Sequence, residues 1–226
     1  MRVQKGKTVL LIAGLICFIF ISCRDASSQK IRIVMIGDSL TAWGDWPTLL
    51  NREDVVNKGR AGDTTGDVLE RMEEIYRLKP QMALVMIGIN DIMKGREAAA
   101  VFLNYRRIIQ GLLARQIKPV IQSTLFLSGD DPRNETVAGL NHKLRLYAQE
   151  QKLPFLDLNK RLSPHNQLNA SFTSDGLHLN SAGYRAWGKE IQKNLHLPGI
   201  PAGTVKAIES PAIFGPFDGI AVIFLN

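Results

Sequence analysis

Cysteine is almost absent from this chain, and its placement says more than its number. Both cysteines, Cys17 and Cys23, fall within the first 23 of 226 residues. The rest of the chain therefore has no disulfide, no thiol nucleophile and no thiolate for a structural zinc site. A domain of about 200 residues can do without disulfides, because a core of that size holds itself together. Histidine is scarce as well, and no two of His142, His165, His178 and His196 stand at metal-ligand spacing. No long apolar run exists beyond the N-terminus, which argues against a polytopic membrane protein. Excess charge is thin too. The formal net charge of +7 falls to +4 once Arg2, Lys5 and Lys7 are set aside. The remaining basic residues are interspersed with acids, the pairs Arg106/Arg107 and Lys160/Arg161 included. That pattern is a solvated surface and not a nucleic-acid footprint. At 45% hydrophobic and 22% charged residues, the composition is that of a folded domain, neither disordered nor fibrous.

The N-terminus reads as an address. A basic stretch to Lys7 is followed by 14 uncharged residues, 8–21, and then by Ser22-Cys23. This is the three-part layout of a secretory signal. The apolar run is shorter than the ~20 residues of a spanning helix. Small Ser22 before Cys23 resembles a bacterial lipoprotein cleavage site, with Phe20 where an aliphatic residue is usual. Residues 1–22 are thus expected to be a signal removed on export, with Cys23 lipidated and tethering the protein to a bacterial envelope membrane. Plain cleavage and a retained anchor are the alternatives. Gly6-Lys7-Thr8 imitates the end of a phosphate-binding loop, but the earlier glycine and the preceding strand are missing.

From residue 30 the chain alternates short apolar runs with longer amphipathic ones. Residues 31–36, 54–57, 82–87, 119–123 and 154–158 have strand length and apolar character. Thr64 or Thr65 can cap a helix whose Val68, Met72, Ile75 and Tyr76 share one face. Residues 97–115 place Val101, Tyr105, Ile108 and Leu112 on one stripe, and 135–151 do the same with Val137, Leu140, Leu144 and Tyr147. Ser181 is expected to cap a last helix, through Asn194, with Tyr184, Trp187 and Ile191 inward. Strand–helix alternation at this spacing predicts an α/β protein. Its expected form is a three-layer α/β/α flavodoxin-like sandwich around a five-stranded parallel sheet in the order 2-1-3-4-5. The domain is expected over residues 30–197. The tail, 198–226, falls outside the pattern and receives no functional reading.

Ligands of such folds gather at the carboxyl ends of the strands, and three clusters fall there. Gly37-Asp38-Ser39-Leu40 follows the first strand and puts a serine at the entry to a helix. Ser39 is either a nucleophile or a helix cap. Gly88-Ile89-Asn90-Asp91 follows the third strand. The Asn90 amide can donate to an oxyanion or close an Asx-turn. Gly62, before the next helix, can bring its amide to a ligand or simply make a turn. Late in the chain, Asp175-Gly176-Leu177-His178 offers the two groups a serine nucleophile needs. One is an imidazole to take the hydroxyl proton, and the other a carboxylate to fix its tautomer. The bland alternative has Asp175 and His178 capping the final helix. Trp43 and Trp46 follow Ser39 closely enough to line a cleft and stack a sugar ring, or else to pack a core.

Taken in order, Gly37-Asp38-Ser39-Leu40-Thr41, Gly62-Asp63-Thr64, Gly88-Ile89-Asn90-Asp91 and Asp175-Gly176-Leu177-His178 resemble the four blocks of the GDSL esterase/lipase family, the SGNH hydrolases. The likeness runs from residue 31 to about 195. The stretch 62–69 and the ending 177–184 are similar to the platelet-activating-factor acetylhydrolase-like branch, whose scaffold carbohydrate acetylesterases share. The resemblance implies Ser39 as nucleophile, His178 as general base and then acid, and Asp175 as its orienter. It implies an oxyanion hole made from the Ser39 and Gly62 amides and the Asn90 side chain, with neither metal nor organic cofactor. The expected activity is hydrolysis of short-chain, acetyl-type esters on a small molecule or glycan. Lysophospholipase or thioesterase action on lipid, transfer to an alcohol acceptor, and non-catalytic glycan binding are the competing readings.

Overall fold

The computed structural model describes residues 32–194. The signal at 1–22, the lipidation site Cys23 and the tail at 198–226 lie outside the described residues. In chain order the elements are β1 (Ile33–Gly37), α1 (Ser39–Ala42), α2 (Trp46–Leu50), β2 (Val55–Gly59), α3 (Thr65–Glu70), α4 (Met72–Arg77) and β3 (Met82–Met86). Then follow α5 (Ile89–Met93), α6 (Ala98–Leu113), β4 (Lys118–Gln122), α7 (Arg133–Glu150), β5 (Phe155–Leu156), α8 (Asn159–Leu162) and α9 (Ser181–Asn194). Two single turns of 3-10 helix, Pro164–Asn166 and Ala170–Phe172, lie between the last two helices.

The five strands form one sheet in the order β2-β1-β3-β4-β5. Every pairing is parallel. β1 sits between β2 and β3, with Gly37 opposite both Gly59 and Met86. Five consecutive buried residues, Ile33 to Gly37, mark it as an interior strand covered on both faces. Helices cover both sides, as the apolar runs require. On one, α6 turns Val101, Tyr105, Ile108, Ile109 and Leu112 inward beside α3 and α7. On the other, α9 packs against α2 and α8. Buried Trp46 and Trp187 meet there edge to face, with ring centroids 4.6 Å apart. Their indole N–H groups, which would be costly to bury unpaired, donate to Thr41 O and Gln122 Oε1, both at 2.8 Å.

Three local expectations need correction. The single helix expected after Thr64 breaks at Arg71, whose φ of −105° and ψ of 11° leave the helical range between α3 and α4. The last strand pairs over only two residues, because its Leu158 end is held by a side chain, the Ser123 hydroxyl accepting from Leu158 N at 2.9 Å. Ser181 does not cap the last helix; the Asn180 side-chain Oδ1 does, accepting from Ala182 N at 2.9 Å and Gly183 N at 3.1 Å.

Candidate active site

Glycine at position 37 is required by crowding. A Cβ there would stand 2.1 Å from Thr41 Oγ1 and 2.3 Å from Met86 O. The chain therefore turns tightly off β1, and Asp38 caps α1 by accepting from Leu40 N at 3.0 Å. Ser39 becomes the first helical residue, 7% exposed at the carboxyl edge of the sheet. Two outside groups fix this corner. The Tyr184 hydroxyl donates to Leu40 O at 2.8 Å. The Asn57 amide donates to Thr41 O, Ala42 O and Gly44 O at 3.0–3.1 Å, so one side chain of β2 gathers the turn that carries Trp43.

His178, oriented by Asp175, reaches Ser39 from 139 positions away in the chain. Their turn is built on itself: Asp175 Oδ1 accepts from the Leu177 and His178 amides at 2.9 and 2.7 Å, and Gly176 adopts a φ of +85°. Thr173 donates its hydroxyl to His178 O at 2.7 Å, and Ser128 N donates to Gly176 O at 2.8 Å. The consequence is a chain of contacts, Asp175 Oδ2 to His178 Nδ1 at 2.6 Å and His178 Nε2 to Ser39 Oγ at 3.0 Å. Partial burial pushes the Asp175 carboxyl up. The His178 ring and the two amides outweigh that and hold it below the usual carboxylate value. Asp175 and His178 do not cap α9, since Asn180 already does so.

Asn90, in the first turn of α5, donates its side-chain amide to Asp63 O at 3.0 Å. This binds the segment after β3 to the segment after β2. Gly62 immediately precedes Asp63, is exposed, and has a φ of +83° with open space where a Cβ would point. The helix after it is anchored to α5, because Asp91, wholly buried, accepts from Thr65 N at 2.7 Å and Thr65 Oγ1 at 2.8 Å.

The two tryptophans part company. Trp43 is 57% exposed, and its ring lies 4.2 Å from the His178 ring, centroid to centroid. Trp46 is fully buried and lines no cleft. Asp45 and Pro47 start α2 between them and swing the second indole inward. Sequence reasoning gave no role in the site to Asp38, Asn57, Asp63, Arg71 or Tyr184, which fix the geometry. Asp38 and Asp63 stood within the quoted blocks, and Tyr184 was expected only to face the core. Asp38 is fully buried, and burial pushes its carboxyl up to about 7. The Leu40 amide opposes that rise, and the charges of Asp63 and Asp91 add to it. Among the described residues, no group of three or more His, Cys, Asp or Glu is arranged to hold a metal ion.

Residues 35–186 match the GDSL-like lipase/acylhydrolase family, a span that contains every contact just described. The chain belongs to the GDSL-like lipase/acylhydrolase family. Among curated relatives, the N-acylneuraminate cytidylyltransferase of Streptococcus agalactiae is 29% identical over 149 residues, 65% of this chain. The match spans only about a third, 34%, of that longer protein. Thioesterase 1/protease 1/lysophospholipase L1 of Escherichia coli is 27% identical over 161 residues, 66% of this chain and 75% of its own. The acetylxylan esterase of Geobacillus stearothermophilus is 27% identical over 162 residues, 61% of this chain and 71% of its own. The crystal structure of a GDSL-like lipase from Bacteroides thetaiotaomicron has the same fold, with a TM-score of 0.64 at 24% identity over 73% of this chain and 87% of its own.

Proposed function

We propose that this GDSL-family protein is a carboxylic ester hydrolase that removes short acyl groups, acetyl foremost, from carbohydrate alcohols. The observation that carries the reading is the relay from Asp175 through His178 to Ser39, at 2.6 and 3.0 Å, beside the exposed face of Trp43. A serine hydroxyl is essentially un-ionised at neutral pH and attacks an ester only when a base removes its proton. In the proposed first step Ser39 Oγ bonds to the ester carbonyl carbon, and its proton passes to His178 Nε2. Asp175 keeps the other ring nitrogen protonated and stabilises the imidazolium. The carbonyl electrons move to an oxyanion that accepts from the Ser39 and Gly62 amides and the Asn90 side chain. Such a donor is typically worth about 2.7–4 kcal/mol of transition-state stabilisation. Collapse breaks the bond to the alcohol oxygen, which takes the proton from His178. Water, deprotonated by the same nitrogen, then attacks the acyl-serine, and acid and free Ser39 result.

Trp43 supports a sugar as the alcohol. Its indole is 57% exposed and its ring lies 4.2 Å from that of His178, so an aromatic surface is open beside the proposed base. An indole face next to the general base is suited to stack the C–H face of a pyranose or furanose ring. The name of the acetylxylan esterase relative agrees with this substrate class. Export behind the N-terminal signal, with a lipid on Cys23, would put the enzyme at the bacterial envelope, where acetylated glycans are met.

The test is hydrolysis of p-nitrophenyl esters from acetyl to palmitoyl, and acetate release from acetylated xylo-oligosaccharides, by the full-length protein and its Ser39→Ala and Trp43→Ala variants. Ser39→Ala should be inactive. Trp43→Ala should raise KM on the oligosaccharide about 10-fold while leaving p-nitrophenyl acetate nearly unchanged, the loss of a stacking contact worth about 1–1.5 kcal/mol. A maximum at long acyl chains would replace the carbohydrate reading with a lipid one. A folded protein with no ester turnover would leave a glycan-binding role.

A further inference from the structure

Arg71 lies at the junction of α3 and α4, where the helical path is interrupted and the side chain turns inward to only 5% exposure. Its Nε donates to Asp63 Oδ2 at 2.6 Å, and its Nη2 donates to Gly37 O at 3.3 Å. Asp63 is itself 13% exposed and follows Gly62; its main-chain oxygen is the acceptor that holds the Asn90 amide at 3.0 Å. Gly37 stands two residues before Ser39, and its carbonyl also accepts from Arg60 N at 3.0 Å. One guanidinium therefore joins the two chain segments that carry the Ser39 and Gly62 amides, and Asp63 O links the second of them to the Asn90 side chain. No other described side chain bridges Gly37 O to Asp63.

We infer that Arg71 is a positioning residue for the oxyanion-binding groups, setting the Asn90 amide and the Gly62 segment relative to Ser39 through Asp63. The inference rests on the reading of Ser39 as the nucleophile of an esterase. Stability alone is a poor explanation for the pair. Burying an arginine and a carboxylate costs desolvation that their attraction often only balances. Here Arg71 Nη1 is buried and finds no protein acceptor, so the cation is not even fully satisfied. What the pair does supply is orientation: a planar fork reaching two fixed acceptors defines distance and angle in a way that one flexible contact does not. Oxyanion donors work only when aimed at where charge develops, and a displacement of about 1 Å can cost about 10²-fold in rate.

The experiment is a double-mutant cycle on p-nitrophenyl acetate with the full-length protein. It uses Arg71→Met, Arg71→Lys, Asn90→Ala and the double variant Arg71→Met/Asn90→Ala, with Ser39→Ala as the blank. Arg71→Met should lower kcat by about 10²-fold with little change in KM, the signature of an interaction made only in the transition state. Arg71→Lys keeps the charge but loses the fork, and should fall between wild type and Arg71→Met. Because Arg71 acts in part through Asn90, the double variant should lose clearly less than the product of the two single losses. Losses that multiply in the double variant would give Arg71 a general structural role and overturn the inference, as would an unchanged kcat in Arg71→Met. If Arg71→Met does not fold, the same cycle run with Arg71→Lys decides by the same criterion. Ser39-dependent turnover that stays at the wild-type kcat in the Arg71 variants sinks this inference alone. Turnover absent from the wild type sinks the esterase reading, and this inference with it.

Discussion

Asp38 is the residue whose substitution should change the pH dependence of stability most clearly. Its carboxyl is fully buried under the corner that presents Ser39; Oδ1 caps α1 through Leu40 N, and Oδ2 has no protein partner. Burial is the largest cause of its rise from the ordinary value of 3.8 to about 7, and the neighbouring Asp63 and Asp91 charges push the same way. The unfolded chain releases this proton near 3.8, whereas the folded protein keeps it until about 7. Between those values the folded state binds more protons than the unfolded one. Stability is therefore greatest below the unfolded value, falls as pH rises through the window, and levels off above 7. The interval corresponds to about 4 kcal/mol, a large share of the ~5–15 kcal/mol that holds a typical domain together.

Asp38→Asn retains the acceptor for Leu40 N and removes the titration. Urea unfolding of wild type and variant from pH 4.5 to 8 should show stabilities that nearly coincide at the acid end. They should diverge toward pH 8, with the variant ahead by up to about 4 kcal/mol. Asp54, Asp67, Asp131 and Asp175 do not obscure this, because partners hold all four below the usual value. Their contribution is present above the unfolded value and is lost only as pH falls through the folded one, below the window. Two stability curves that run parallel from pH 4.5 to 8 would refute the argument, since the slope would then belong to other groups.

Asp175→Asn keeps an oxygen for the Leu177 and His178 amides but turns an NH2 toward His178 Nδ1, so the ring presents its proton, not its lone pair, to Ser39. We expect kcat on p-nitrophenyl acetate to fall by about 10²–10⁴-fold with the melting temperature nearly unchanged, and a fall of less than tenfold would remove Asp175 from its assigned role. Gly59→Ala would drive a Cβ to 2.3 Å from Ala42 N and 2.7 Å from Ala42 Cα, backbone atoms of α1 that cannot rotate aside. A loss of about 1–3 kcal/mol in thermal unfolding is expected. It should come with reduced kcat as Ser39 is displaced; unchanged values of both would show that α1 is free to shift.

Strand order and helix faces were readable because they follow from patterns local to a dozen residues. The β-branched-rich run before Gly37 read as a buried strand, and the stripes of α6 and α7 repeat at helical steps. The glycine, serine, asparagine, aspartate and histidine of the four blocks were equally visible, since each lies at a strand end or before a helix. What escaped was whatever depends on contact through space. Trp43 and Trp46 are three residues apart and identical in type, yet the turn at Asp45 and Pro47 sends one to solvent and the other to the core. Asn57 read as an ordinary strand residue, although its amide fastens the corner below Trp43 across 13–16 positions. Arg71 read as a polar step on one continuous helix. Its break arises from partners 8 and 34 positions away, which no local periodicity reveals.

The separation of 139 residues between Ser39 and His178 also has a meaning for the order in which this protein comes into being. β1 and the serine behind it leave the ribosome early, and their sheet partners follow one by one. The imidazole arrives only with the closing turn, just before α9, whose Tyr184 bonds to Leu40 O and whose Gly188 packs on Leu49. Until residue 178 is made, the nascent chain holds the serine without its imidazole partner. An amino-terminal fragment ending before residue 178 is in the same state, however well its sheet has formed. On the proposed reading, esterase competence therefore needs both ends of this 139-residue span.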